Sequence, residues 1–188
     1  HAEHFSENAV TDKTILWNNF YEYQFSNADK VDFFIVSTDR QNEVLQEQFA
    51  KYTHHRPKVV TIPVGSIDSS TESSQGRKPF SLITASRLAK EKHIDWLVKA
   101  VIEARKEIPE LTFDIYGSGG EDSLLRDIIA THQAEDYIQL KGHAELSQIY
   151  GQYEVYLTAS TSEGFGLTLM EAIGSGLPLI GFDVPYGN

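Results

Sequence analysis

From residue 80 onward the chain alternates short apolar segments with amphipathic ones, and this alternation restricts the possible folds more than any other feature. The apolar segments are FSLITAS (80–86), LTFDIYG (111–117), YIQLKG (137–142), EVYLTAS (154–160) and LPLIGF (177–182). Their brevity and their content of β-branched and aromatic residues predict strands buried in a parallel sheet. Between them lie DWLVKAVIEARKEI (95–108), DSLLRDIIATHQ (122–133), ELSQIYGQ (145–152) and LTLMEAIGS (167–175), whose apolar residues recur at helical spacing. Units of this kind close with right-handed crossovers, so the expected class is α/β: a doubly wound, Rossmann-like parallel sheet with helices on both faces.

The same alphabet appears earlier in less regular form. Residues 12–26 (DKTILWNNFYEYQFS) predict a helix, 31–37 (VDFFIVS) a strand, 38–52 (TDRQNEVLQEQFAKY) a helix and 58–65 (KVVTIPVG) a strand ended by glycine. The stretch SIDSSTESSQGRK, followed by Pro79, is almost devoid of apolar residues and cannot pack a core. The expected organisation is therefore a first domain over 1–65, a linker over 66–79 and a second domain over 80–188. His1 stands where a methionine would start a chain, and the sequence stops just after GFDVPYGN; it reads as a stretch of a longer polypeptide, truncated at the C-terminal end of its second domain.

Composition narrows the chemistry. With 16 Lys+Arg against 27 Asp+Glu the formal charge is −11, which opposes general attraction to nucleic acid or to anionic lipid, so any anionic ligand must meet a local cluster of cations. There are no cysteines, which removes disulfides, thiolate metal sites and sulfur redox chemistry and fits a cytoplasmic setting. No apolar run reaches the roughly 20 residues of a membrane-spanning helix, and no signal-peptide pattern is present.

In open α/β sheets ligands bind beyond the carboxyl ends of the strands. The loops there are SRLAKEKHID, GSGGED, GHAE and STSEGFG. Arg87 offers a planar fork of donors and Lys92 a point charge, a pair suited to a diphosphate, although the same residues fit a solvated loop. Gly117, Gly119 and Gly120 permit close approach of a ligand or simply a tight turn. In the last loop Gly164 and Gly166 leave peptide N–H groups unobstructed beside the first turn of a helix starting near Leu167, a site for an anion or for sugar oxygens. A phosphate site gains nothing from carboxylates, yet Glu163 and Glu171 flank this turn. Carboxylates accept hydrogen bonds from vicinal hydroxyls, so the expected ligand carries both a diphosphate and several hydroxyls, as a nucleotide sugar does. The competing reading makes Glu163 a turn residue and Glu171 a solvated helix position.

HAEH at the start is a weak metal pattern with no third ligand, His54, His55 and His132 read as surface residues, and His93 and His143 are candidates to line the cleft. The chain contains no D-x-D triplet to chelate a diphosphate-bound metal, so no cofactor and a metal-independent reaction are expected.

ITASRLAKEKHIDWLVKAV, FDIYGSGG, QLKGH and LTASTSEGFGLTLMEAIGSGLPLIGFDV resemble, in that order, the carboxyl-terminal donor domain of retaining GT-B glycosyltransferases of glycosyltransferase family four. The Glu163-to-Glu171 interval is similar to that family's E-x-seven-E motif. HAEHFSENAVTDKTILWNNFYEYQF and FFIVSTDRQNEVL resemble the later part of the acceptor domain of a narrower group, the GtfA-type transferases of the accessory secretion system of Gram-positive bacteria. That group adds N-acetylglucosamine to serine and threonine of serine-rich adhesins, and its relatives include poly(glycerol-phosphate) α-glucosyltransferases.

The resemblance implies roles. Arg87 and Lys92 would hold the donor diphosphate and stabilise departing UDP; Glu163 would face the donor sugar; the backbone at Phe165, Gly166, Leu167 and Thr168 would contact sugar hydroxyls and phosphate; Glu171 would accept from the ribose. His1 or His4 would stand near the reacting sugar. From the loop reading, Gly119 and His143 complete the expected substrate-binding set. It further implies a UDP-sugar donor, a serine-rich protein acceptor, a GtfB-type partner subunit, and a cytoplasmic location peripheral to the inner face of the membrane. The alternatives are a noncatalytic partner subunit that recognises glycosylated polypeptide, against which an intact donor set argues, a poly(glycerol-phosphate) α-glucosyltransferase, and a sugar-nucleotide epimerase.

Overall fold

The computed structural model describes residues 23, 25–52, 56–65, 76–161 and 166–182. The chain divides into two compact units, one of residues 1–65, 162–165 and 185–188, the other of 66–161 and 166–184.

In the first unit β1 (Phe34–Val36) and β2 (Val59–Thr61) form a parallel pair connected by α1 (Asp39–Tyr52). Phe49 of α1 is fully buried, with the Phe25 ring edge-on to it at 5.1 Å and Phe34 tilted at 4.9 Å. The Thr38 hydroxyl accepts the Gln41 N–H at 3.1 Å and so caps the helix start. The predicted helix over 12–26 lies almost wholly outside the described residues, as do His54, His55 and most of the linker.

The second unit holds a parallel sheet of β3 (Ser81–Ala85), β4 (Thr112–Tyr116), β5 (Ile138–Gly142), β6 (Val155–Leu157) and β7 (Leu179–Ile180), in the order β5-β4-β3-β6-β7. Its helices are α2 (Ile94–Ala104), α3 (Asp122–Thr131) and α4 (Leu167–Gly174). Strand periodicity sorts the core into two layers. Phe113 and Ile115 of β4, with Leu157 of β6, pack against Leu97, Val98 and Val101 of α2 and Leu125 and Ile129 of α3. Ile83 and Ala85 of β3, with Tyr156 of β6, pack on the other face against Leu169 and Ala172 of α4 and against Tyr150 and Tyr153. The sheet is thus covered on both faces, as the alternation predicts.

The chain winds outward from β3 through β4 and β5, then crosses to the other side of β3 for β6 and β7. The reversal falls between β3 and β6, and their carboxyl ends mark the switch point where such sheets bind ligands.

One expected element does not form. Residues 145–152 predict a helix, but the segment is a series of turns closed by a short 3-10 turn, Tyr150–Gln152. The Glu145 carboxylate takes the Ser147 N–H at 3.1 Å, and the Leu146 carbonyl receives both the Ile149 N–H (2.8 Å) and the Tyr150 N–H (3.1 Å). Local side-chain bonding competes with the helical ladder in a segment too short to form a stable helix by itself, and Gly151 weakens it further. The part of the expected linker that is described is anchored: the Lys78 N–H donates to the Gln152 carbonyl (2.8 Å) and the Arg77 guanidinium to the Gly176 carbonyl (2.7 Å).

Candidate functional site

At the carboxyl ends of β3, β4 and β5 a cavity of about 260 Å3 opens, lined among others by Arg87, Tyr116, Gly117, His143, Leu146 and Thr168. Each reaches it for a local reason. Arg87 follows the last residues of β3, and its exposed guanidinium is shared with Glu91 at 3.2 Å, four residues further on. Tyr116 ends β4 on the face opposite Phe113 and Ile115. Its hydroxyl lies 3.1 Å from that of Tyr153, which in turn donates to the Asp114 carboxylate at 2.6 Å. Burial, and then that bond to Asp114, push the Tyr153 hydroxyl well above the ordinary tyrosine range, so it remains a donor. His143 follows Gly142, whose φ of 71° and the register shift between β4 and β5 turn the chain beyond the sheet.

Thr168 belongs to the first turn of α4. Gly166 enters this helix in the left-handed region, φ 68°, and its carbonyl receives the Leu169 and Met170 N–H groups. The N–H groups of Leu167 and Thr168 consequently have no acceptor within the helix, which leaves donors at its positive end. The Thr168 hydroxyl is 3.1 Å from that of buried Tyr156, which also donates to the Ala85 carbonyl at 2.8 Å; α4 is pinned to the end of β3 by this one side chain.

Lys92 is 8% exposed, and its ammonium lies 3.4 Å from the Ser160 hydroxyl. A buried cation joining the loop after β3 to the end of β6 sits at the topological switch point. Glu171 follows Thr168 by three residues on one side of α4 and accepts the Tyr150 hydroxyl at 3.0 Å. The neighbouring Glu145 carboxyl is held below its ordinary value, first by the Ser147 N–H.

Among the sequence candidates, Arg87, His143 and Thr168 line one cavity. Lys92 and Glu171 are half-buried or buried side chains outside that lining, and Leu167 is exposed. Gly119 is also outside the lining, and its lack of a side chain has a structural cause: a Cβ there would lie 2.3 Å from the Leu88 carbonyl oxygen. His93 stacks on Trp96 at 3.9 Å and its Nε2 is 3.2 Å from the Thr161 hydroxyl. Glu163, Phe165, His1 and His4 lie outside the described residues. Sequence reasoning missed Tyr116, Tyr150 and Ser160. Tyr116 was recoverable, since a polar aromatic alternating with Phe113 and Ile115 at the end of a strand must face away from their layer. Among the described residues no group of three or more His, Asp or Glu could hold a metal ion, and no helix is long and apolar enough to cross a membrane.

Comparison with known proteins identifies the family. Residues 79–188 match the model of a family described as glycosyl transferases group 1. Over its whole length the chain is 90% identical to the UDP-N-acetylglucosamine–peptide N-acetylglucosaminyltransferase GtfA subunit of Streptococcus pneumoniae, of which it spans 37%. The crystal structure of the pneumococcal O-GlcNAc transferase GtfA in complex with UDP and GlcNAc superimposes with a TM-score of 0.88, over 97% of this chain and 36% of that one, at 90% identity. A GtfA/B complex matches with a TM-score of 0.83 at 67% identity, over 100% of this chain and 37% of that one. With parallel sheets of the GT-B type and a family match over more than half its length, the chain belongs to the glycosyl transferases of group 1.

Proposed function

We propose that the protein from which this chain comes is a retaining glycosyltransferase that moves N-acetylglucosamine from UDP-N-acetylglucosamine to serine or threonine of a serine-rich polypeptide. The observation that carries the reading is the cavity beside the sheet's switch point, where Arg87 and His143 face the first turn of α4 at Thr168. Cleavage of a glycosyl phosphate builds negative charge on the leaving oxygen and positive charge at the anomeric carbon. Arg87 and buried Lys92 meet the first charge, and loss of one such group commonly costs about a hundredfold in rate. Glu171 takes the ribose hydroxyls, Glu163 faces the donor sugar, and the backbone at Phe165, Gly166, Leu167 and Thr168 donates to sugar and phosphate oxygens. Gly119 and His143 border the donor, and His1 stands beside the reacting sugar.

The diphosphate charge is met by side chains and peptide groups, so the reading includes no metal. A GtfB-type subunit is the proposed partner, supported by the solved GtfA/B complex to which the chain is similar. A cytoplasmic setting belongs to the same reading and is supported by the lack of cysteine. Incubating the full-length protein, with and without its partner subunit, with UDP-N-acetylglucosamine and a serine-rich peptide tests it. The peptide should gain the mass of one or more N-acetylhexosamines; an unmodified peptide with an epimerised free UDP-sugar would remove the proposal.

A further inference from the structure

The structure assigns Tyr150 the task of positioning Glu171 for ribose recognition. This rests on the preceding reading, in which Glu171 accepts from the ribose, and adds the residue that sets its geometry. Tyr150 is 1% exposed in the 3-10 turn that replaces the expected helix, and its hydroxyl lies 3.0 Å from Glu171 Oε2. An ionised carboxylate only accepts, so the phenol is the donor. Burial, more than any neighbouring charge, holds the phenol in its protonated form. The ring cannot drift: it packs against Tyr156 at 6.1 Å, and Tyr156 is bonded to the Ala85 carbonyl and to the Thr168 hydroxyl.

A glutamate has three rotatable side-chain bonds, and a partly exposed one samples many orientations that must be given up when a ligand binds. The Tyr150 bond removes much of that freedom beforehand. It occupies one lone-pair direction on Oε2 and leaves the others, with those on Oε1, for two vicinal hydroxyls. At the other end of the residue, the Ser175 hydroxyl donates to the Glu171 carbonyl at 2.9 Å and the Ser175 N–H at 3.0 Å. Carboxylate and backbone are therefore both held, which is preorganisation of the kind that raises affinity without a new ligand contact.

The test uses the full-length protein and two probes, UDP and 2′,3′-dideoxy-UDP, titrated by calorimetry into the wild type, Tyr150→Phe, Glu171→Gln and the double variant. Tyr150→Phe deletes one oxygen and keeps the ring. The expected result is a preference for UDP over the dideoxy compound that shrinks about three- to tenfold in Tyr150→Phe, the range of one lost hydrogen bond. Dideoxy-UDP binding should stay unchanged, and Tyr150→Phe should have no further effect once Glu171 is Gln. A general loss of structure would weaken both probes alike, leaving the ratio at its wild-type value, and that overturns the inference. If Glu171→Gln collapses the preference while Tyr150→Phe preserves it, the positioning role falls and the ribose reading stands. If Glu171→Gln preserves it too, both fall.

Discussion

The Lys92 ammonium lies 3.4 Å from the Ser160 hydroxyl, so the loop after β3 and the end of β6 meet where the sheet reverses its winding. Lys92→Met keeps most of the buried stem and removes the charge; Lys92→Ala removes both. On the role proposed for Lys92, both variants should bind UDP at least about tenfold more weakly, because a charge-assisted bond to the diphosphate would be lost. Only Lys92→Ala should also lose about 1–2 kcal/mol of stability, from the missing methylenes. Calorimetric titration with UDP and denaturant melts separate the two effects, and unchanged UDP binding in Lys92→Met would count against the placement of the site.

Arg87 and Glu91 form an exposed pair at 3.2 Å, with 68% and 46% of their side-chain surfaces accessible. Such pairs contribute little to stability. Glu91→Gln should leave the melting midpoint nearly unchanged, within about 0.5 kcal/mol. If Arg87 holds the diphosphate as proposed, it should raise UDP affinity about two- to fivefold by releasing the guanidinium. Weaker binding would mean that Glu91 orients Arg87 instead of competing for it.

Gly117 and Gly120 look alike in the sequence and should respond oppositely to alanine. A Cβ at Gly117 would stand 1.8 Å from the Ser86 carbonyl oxygen on a backbone with φ of 126°, whereas one at Gly120 meets nothing within 4 Å. Gly117→Ala should destabilise by about 3 kcal/mol or more, and Gly120→Ala by less than about 0.5 kcal/mol. Urea titration of the two variants decides it, and equal midpoints would contradict the close approach of the β3 and β4 loops.

Tyr150 and Tyr153 both have hydroxyls raised well above the ordinary value of 10.0, chiefly by burial. The folded state therefore keeps two protons that the unfolded chain releases once the pH passes about 10. Their contribution is complete below that pH and is lost above it, by at most about 1.4 kcal/mol per pH unit and per tyrosine. Tyr153→Phe should be less stable by about 1 kcal/mol near neutrality, through loss of its bond to Asp114, yet show a shallower alkaline decline. Denaturant melts at intervals from pH 8 to 11 provide the comparison; parallel curves would show that Tyr153 ionises freely in the native state.

Much of the second unit was legible from periodicity. Strands expected at 80–86, 111–117 and 137–142 appear as Ser81–Ala85, Thr112–Tyr116 and Ile138–Gly142, and the helix expected at 122–133 as Asp122–Thr131. The helix expected at 95–108 stops at Ala104, ahead of Pro109, and the strand expected at 177–182 is confined to Leu179–Ile180, starting after Pro178, which has no N–H to pair. Residues 145–152 misled because an apolar spacing of Leu146, Ile149, Tyr150 and Tyr153 serves a packed turn as well as a helix. The cations and the glycine-rich turn were visible because unusual polar residues at strand ends stand out against an apolar background.

What could not be read was which residues share a cavity. The order of residues alone determined an α/β chain, the strands whose ends carry the candidate loops, and the kinds of side chain available to hold a diphosphate and a sugar. Only the tertiary structure decided that Arg87, His143 and Thr168 converge on one cavity, that Lys92 is buried against Ser160, and that Tyr150 reaches Glu171 across twenty-one positions. Periodicity is a property of neighbours along the chain, whereas convergence depends on strand order and crossover, which bring distant segments together through burial of surface that no local pattern specifies.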